Sequence, residues 1–144
     1  MNRRRWFLHT ALVFSFLMAS GTAAAEQDPM WPVPGGVVLT LERAVMCESI
    51  EAFLPKNQGV IFSISVGRVL CFSAFSVVPR ETVIYHNWYR KDQLASRRKL
   101  TLKPPNWSSF SGIQLREADT GPWRVDITDE RGNTIKTLRF SITE

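Results

Sequence analysis

Alternation of apolar and polar residues is the strongest pattern in this chain, and it predicts β-strands. Residues 123–129 and 134–142 alternate strictly on either side of a turn, Glu130-Arg131-Gly132-Asn133, which predicts a hairpin with one buried face. Residues 82–90 alternate as well and place His86 and Trp88 on the same face of their strand.

Other segments rich in β-branched and apolar residues add further strands. We predict one long or two short strands in residues 37–47, then strands in residues 68–78, 94–102 and 107–115. Between them, residues 48–59 contain Pro55, Asn57 and Gly59, and we expect a loop there with at most one turn of helix. About seven strands with no sustained helical period predict an all-β fold, an immunoglobulin-like antiparallel β-sandwich.

The N-terminal segment has the pattern of a secretory signal peptide. Three arginines at residues 3–5 precede an apolar run over residues 6–19, and Ala23-Ala24-Ala25 supplies small residues for cleavage. We predict a signal peptide over residues 1–25, cleaved after Ala25, and therefore a periplasmic mature chain. The adjacent arginines also fit the twin-arginine route, and retention as an N-terminal anchor is the alternative to cleavage.

Length and composition indicate that the residues after the predicted signal peptide form one domain. The chain has 144 residues, of which 44% are hydrophobic and 22% charged, as is usual for a globular domain. Residues 26–36 hold three prolines and two glycines, which predicts a tether before a β-sandwich domain over residues 37–144. Cleavage removes three of the 18 basic residues and lowers the net charge from +5 to +2. The charge of the mature chain therefore does not favour a nucleic-acid partner.

The two cysteines, Cys47 and Cys71, both lie in the predicted mature chain. An even number of cysteines in an exported protein predicts a disulfide, which over a loop of about 25 residues contributes about 3.5 kcal/mol. Two buried free thiols are the alternative. Neither cysteine belongs to a C-x-x-C motif, and His86 is the only histidine after residue 25, so we predict no metal site and no cofactor.

A series of short motifs in the predicted domain resembles a known family. The motifs are Arg43-Ala44-Val45 with Cys47 and Ile50, Pro55, Val66-Gly67-Arg68-Val69-Leu70-Cys71-Phe72, His86-Asn87-Trp88-Tyr89, Trp107-Ser108-Ser109, Gly121-Pro122-Trp123-Arg124-Val125, and Gly132 before Phe140. Their order and spacing over residues 43–140 resemble the bacterial domain of unknown function 2914. The resemblance implies an exported or membrane-tethered β domain, often attached to other envelope modules, with no accepted catalytic residues.

His86 is the first candidate for chemistry, because it is the only side chain of the predicted mature chain that titrates near neutral pH. A nucleophilic mechanism needs a serine within hydrogen-bond distance of His86 and a carboxylate, such as Asp126, to orient the imidazole. The candidate serines are Ser108, Ser109 and Ser111. Because no G-x-S-x-G motif is present, we expect His86 to be structural and predict no catalytic residue, with a small hydrolase as a remaining alternative.

The charged and aromatic clusters offer other sites. Arg97-Arg98-Lys99 could meet an anionic surface, and the acid pairs Glu48/Glu51 and Asp126/Asp129 have glycosidase-like composition, but we expect all of them to be solvated. Exposed indoles stack on sugars, and of the tryptophans we expect Trp31 and Trp107 to be exposed and Trp88 and Trp123 to be buried.

The pattern as a whole favours a non-enzymatic binding or interaction module. Its expected partner is another cell-envelope protein, contacted through a strand edge or the aromatic loop side. A cell-wall glycan bound by Trp107, Trp31 or Trp88 is the alternative. The candidate ligand-binding residues are His86, Trp88, Trp107, Ser108 and Arg124.

Overall fold

The computed structural model describes residues 36–144. The predicted signal peptide, all but the last residue of the predicted tether, and Trp31 lie outside the described residues. Within residues 36–144 the chain forms nine strands: β1 (Thr40–Glu51), β2 (Leu54–Gln58), β3 (Ile61–Ser63), β4 (Arg68–Val77), β5 (Thr82–Arg90), β6 (Gln93–Leu102), β7 (Trp107–Gln114), β8 (Gly121–Asp129) and β9 (Thr134–Thr143).

The strands form two sheets, and the predicted β-sandwich is confirmed. One sheet has the order β2-β1-β4-β7, and the other has the order β3-β9-β8-β5-β6. Neighbouring strands are antiparallel except for the short pair of β3 with β9, which is parallel. The two sheets face each other across one core, which contains Met46 and Phe75 from the first sheet and Ile84, Trp88 and Val125 from the second.

Two of the nine strands were not predicted. Residues 48–59 were expected to be a loop, but β1 continues to Glu51 and turns through Ala52 and Phe53 into β2. Both turn residues have positive φ, at 48° and 60°, a backbone conformation usually supplied by Asn and Gly. The turn is therefore a tight hairpin turn made by residues that carry no turn signal, and the sequence pattern missed it.

The predicted disulfide between Cys47 and Cys71 is wrong, because both thiols are free and buried. In the pairing of β1 with β4, Cys47 lies opposite Leu70, and Met46 lies opposite Cys71. Cross-strand partners share a face and successive residues alternate, so the two cysteines point to opposite faces of the sheet. Cys71 belongs to the core between the sheets, whereas Cys47 packs with Leu70 and Phe72 on the other face.

Burial also makes these thiols poor nucleophiles. Desolvation raises the pKa of the Cys47 thiol to about 11 and raises the pKa of Cys71 well above its ordinary value. Because the thiolate is the reactive form, both cysteines are inert hydrophobic side chains at neutral pH.

The described residues also contain two short 3₁₀ helices, Ile64–Val66 and Glu117–Asp119. In residues 36–144, no helix has the length and apolar character needed to cross a membrane.

Candidate functional site

His86 lies at the centre of the sandwich, on the face of β5 that packs against the other sheet. Its relative exposure is 0%, the same as that of Trp88 two residues further along the strand. The alternation of β5 explains this placement, since Ile84, His86 and Trp88 all face inward. The sequence therefore placed His86 and Trp88 correctly on one face, and the structure shows that this face is the core.

A continuous chain of hydrogen bonds surrounds the imidazole. Ser73 donates to the backbone carbonyl of Ser109 at 3.4 Å, so its oxygen must accept from His86 Nε2 at 3.2 Å. The proton of neutral His86 is then on Nε2, and Ser111 Oγ donates to Nδ1 at 2.9 Å. Trp88 Nε1 completes the chain by donating to Ser111 Oγ at 3.0 Å. Each of these four bonds has one donor and one acceptor, so this tautomer satisfies the whole network.

Burial keeps His86 neutral, and the hydrogen-bond network also fits the neutral form. Desolvation lowers the pKa of His86 to about 4, well below its ordinary value of 6.5. Protonation of Nδ1 would also turn the acceptor of the Ser111 hydroxyl into a donor and leave that hydroxyl proton without a partner. His86 is thus an uncharged structural group over the physiological pH range.

The arrangement lacks two requirements of a serine hydrolase. Ser111 is the predicted candidate serine that the structure brings to His86, but only 8% of its surface is exposed and its oxygen already accepts from Trp88. The predicted orienting carboxylate, Asp126, lies opposite Asn87, on the other face of the sheet from His86. A serine hydroxyl, not a carboxylate, therefore contacts His86 Nε2, and the imidazole has no contact with solvent.

The remaining predicted ligand-binding residues are dispersed. Ser108 is exposed and lies opposite Ala74, on the face of its sheet that points away from His86. Trp107 shares the inward face but lies at the start of β7, where 39% of it is exposed and the Lys103 ammonium lies 6.0 Å from the ring centroid. Trp123 is 6% exposed. Among the described tryptophans, Trp107 alone is open enough to stack against a sugar.

Arg124 is engaged in a local cluster on the outer face of the second sheet. Its guanidinium donates to Asp126 at 3.0 Å and to Asp92, and it stacks on the Tyr89 ring at 4.1 Å from the centroid. The hydrogen bond and the charge of Asp126, with a further contribution from Asp92, raise the pKa of Arg124 above its ordinary value. Two carboxylates balance the charge of this arginine, so it has little left to offer an anionic ligand.

The edges of the two sheets differ in how far they are protected against pairing with another chain. The edge strand β2 is short and contains Pro55 and Lys56, and β3 has three residues. The edge strand β6 carries Arg97, Arg98 and Lys99, which are all exposed. Short strands, prolines and charges each discourage strand addition, so these three edges are protected.

The fourth edge, β7, has none of these protections. Its eight residues, Trp107–Gln114, include no charged residue and no proline, and all eight pair with β4 without a bulge. Among residues 36–144, β4 is its one hydrogen-bonded neighbour, so the other side of β7 carries backbone groups without strand partners. Phe110, at 53% exposure, lies on this strand. The lack of charge is visible in the sequence, but the edge position follows only from the topology.

No set of three or more His, Cys, Asp and Glu side chains in residues 36–144 is gathered closely enough to hold a metal ion. The acid pairs of the sequence are separate surface features: Asp129 accepts from the backbone of Arg131 and Asn133, and Glu48 accepts from Asn57. The Asn133 side chain also donates to Asp129. The hydrogen bonds that Asp129 accepts lower its pKa, and the one from the Asn133 side chain contributes most. Asp129 therefore closes a turn.

Comparison with known proteins adds a family but no activity. No curated protein matches the chain. The family described as "Protein of unknown function (DUF2914)" matches residues 81–142, which contain β5 to β8 and nearly all of β9. The motifs at residues 86–89, 107–109 and 121–125 lie inside the match, and those at residues 43–72 lie outside it. Over residues 81–142, the chain is therefore similar to the DUF2914 family of proteins of unknown function.

Proposed function

We propose that this protein is a non-enzymatic interaction module of the bacterial cell envelope, and that it binds an extended segment of a partner protein as an added strand beside β7. The observation that carries the proposal is the contrast between the four sheet edges. Three of them have features that prevent strand addition, whereas β7 is long, uncharged and regular. Such an edge is a template for a further strand.

The chemistry of β7 suits a binding partner better than a substrate. Backbone hydrogen bonds along an eight-residue edge supply affinity without any particular sequence, and side chains beside them supply specificity. Phe110 lies opposite Phe72 on the outer face, so an added strand would bring one of its own side chains next to Phe110. We expect an apolar or aromatic residue at that position, because such cross-strand pairs stabilise sheets.

Two further features support the proposal. The serine that reaches His86 is enclosed with it in the core, so the best candidate for nucleophilic chemistry is inaccessible to a substrate. The N-terminal pattern of arginines, apolar run and small residues supports export, and an envelope partner follows from that location.

Site-specific crosslinking tests the proposal. A photoreactive phenylalanine analogue replaces Phe110 in the full chain, and crosslinked products are recovered from the native envelope and sequenced by mass spectrometry. We expect one partner segment to be captured reproducibly, and a synthetic peptide of that segment to slow hydrogen exchange of the β7 amides, residues 107–114.

The control places the same analogue at Thr101, which is exposed on the protected edge strand β6. Ser108→Lys adds a charge to the β7 edge and should abolish capture from Phe110, because edge lysines oppose strand addition. Equal capture from Thr101, or a captured peptide that leaves exchange in β7 unchanged, would contradict the proposal.

A further inference from the structure

A groove of about 520 Å³ opens between the edge strands β6 and β7. Ala95 and Arg98 of β6 and Gly112–Gln114 of β7 form its two sides. Ala95 and Arg98 are the third and sixth residues of β6, and Gly112–Gln114 are the last three residues of β7, so the groove lies away from the connection that joins the two strands at residues 103–106. The volume falls in the range of ligand-binding clefts.

Three arginines from separate parts of the fold line this groove. Arg68 begins β4, Arg98 lies in β6, and Arg116 follows β7. Asp119 also lines it, and its carboxylate accepts from the backbone and the Nε atom of Arg116, the latter at 3.4 Å. The groove therefore carries an excess of positive charge.

Two of these arginines lack the acidic partners that Arg116 and Arg124 have. Arg124 contacts two carboxylates, and Arg97 lies over the Tyr85 ring at 3.9 Å from the centroid. Among the described residues, Arg68 and Arg98 have no acidic side chain within salt-bridge distance. Their charges are available to an anionic group.

The position of Arg98 distinguishes it from its neighbours on β6. It lies opposite His86 in the β5–β6 pair and so shares the inward face, while Arg97 lies opposite Asn87 on the outer face. Arg97 and Lys99 already protect the β6 edge against strand addition. Protection of that edge also does not explain why Arg68 and Arg116 line the same groove as Arg98.

The groove also has an apolar floor. Leu70, Ile113 and Trp123 contribute apolar surface to the groove. A ligand that combines an anionic head with a short aliphatic stem matches this lining.

We infer that the groove binds carboxylate groups, and that in the assembled complex these are acidic side chains, or the C-terminal carboxylate, of the segment added beside β7. This assignment rests on the proposed function, because Gly112–Gln114 belong both to the groove and to the β7 edge. Guanidinium groups bind carboxylates with paired, charge-assisted hydrogen bonds, and the methylene groups of Asp and Glu fit the apolar floor.

Titration with citrate, a free tricarboxylate, tests the site without any partner protein. Backbone amide resonances of the full chain are followed by NMR at constant ionic strength, with sodium chloride replaced by sodium citrate. We expect saturable shifts at Arg98 and Gly112–Gln114. Arg98→Gln should weaken citrate binding by at least about tenfold, because it removes a charge-assisted contact. Arg97→Gln makes the same charge change on the opposite face and should weaken it by less than about twofold.

Three results would overturn the inference: shifts that never saturate, equal weakening by Arg97→Gln and Arg98→Gln, or saturable binding of inorganic phosphate in a parallel titration without binding of citrate. The first two would leave the arginines as general edge charges, and the third would change the ligand class. Capture from Phe110 with no citrate binding would retain strand addition and reject the carboxylate site. Citrate binding without capture would support the anion site and reject strand addition.

Discussion

The hydrogen-bond chain through His86 shows how a polar cluster is tolerated in the middle of an apolar core. Each of the two serine hydroxyls donates one hydrogen bond and accepts another, and the imidazole likewise contributes one donor and one acceptor. A buried network in which every member is satisfied avoids the cost of orphaned polar atoms, which is about 1 to 3 kcal/mol for each group. The two serines beside the ring come from the opposite sheet, so the network also joins the two sheets.

The first prediction concerns pH. Below the ordinary pKa of 6.5, the unfolded chain binds a proton at His86 that the folded chain does not bind until about pH 4. The contribution of neutral His86 to stability is therefore complete above pH 6.5 and is lost as the pH falls toward 4. We expect the free energy of unfolding, measured by urea titration, to fall by about 3 kcal/mol across this range on account of His86.

His86→Gln is the control, because an amide can donate and accept hydrogen bonds but does not titrate. The variant should be less stable than the wild type at pH 7.5, and the difference should shrink as the pH falls. Carboxylates titrate in both proteins, so the difference isolates the imidazole. Parallel curves for the two proteins would show that His86 is protonated as readily in the folded state as in the unfolded state.

At the scale of strands, regular alternation was enough to predict most of the fold. β5 was predicted with the bounds that it has, and the predicted ends of β4, β6, β7 and β9 differ from the observed ends by one residue. The hairpin of β1 with β2 was missed because its turn is built from Ala52 and Phe53, which carry no turn signal. The choice of β7 as an edge depends on long-range pairing, which local patterns do not contain.

The turn between β1 and β2 provides the second prediction. A residue other than glycine pays about 1 to 2 kcal/mol to adopt positive φ, and Phe53, at 83% exposure, gains little packing in return. Replacing Ala52-Phe53 by Asn-Gly should therefore raise the free energy of unfolding by about 1 kcal/mol in urea titration. Phe53→Ala keeps the backbone cost and should give no such gain. A loss of stability in the Asn-Gly variant would mean that Phe53 makes a stabilising contact.

At the scale of the whole molecule, the shared core of the two sheets holds the domain together, with no covalent crosslink between the described cysteines. The sequence led to the opposite expectation because an even cysteine count and an export signal usually accompany a disulfide. The number of cysteines says nothing about the register in which β1 pairs with β4. A shift of one residue between these strands would bring Cys47 and Cys71 to the same face. Strand pairing limits the prediction of the candidate site in the same way. The pattern of β5 placed His86 and Trp88 on one face, but which serines contact the imidazole depends on how β4 and β7 pair and pack.

The last prediction follows from this register. Protein purified without reductant should show two reactive thiols per chain after unfolding in guanidinium chloride, measured with a chromogenic disulfide reagent, and almost none while folded, because both cysteines are buried. Its thermal midpoint should be the same with and without reductant, whereas loss of a disulfide from a small domain costs about 2 to 5 kcal/mol. Zero thiols after unfolding, together with a lower midpoint in reductant, would require β1 to shift by one residue against β4. That shift would also turn Met46 out of the core, so the thiol count reports on the register of the whole first sheet.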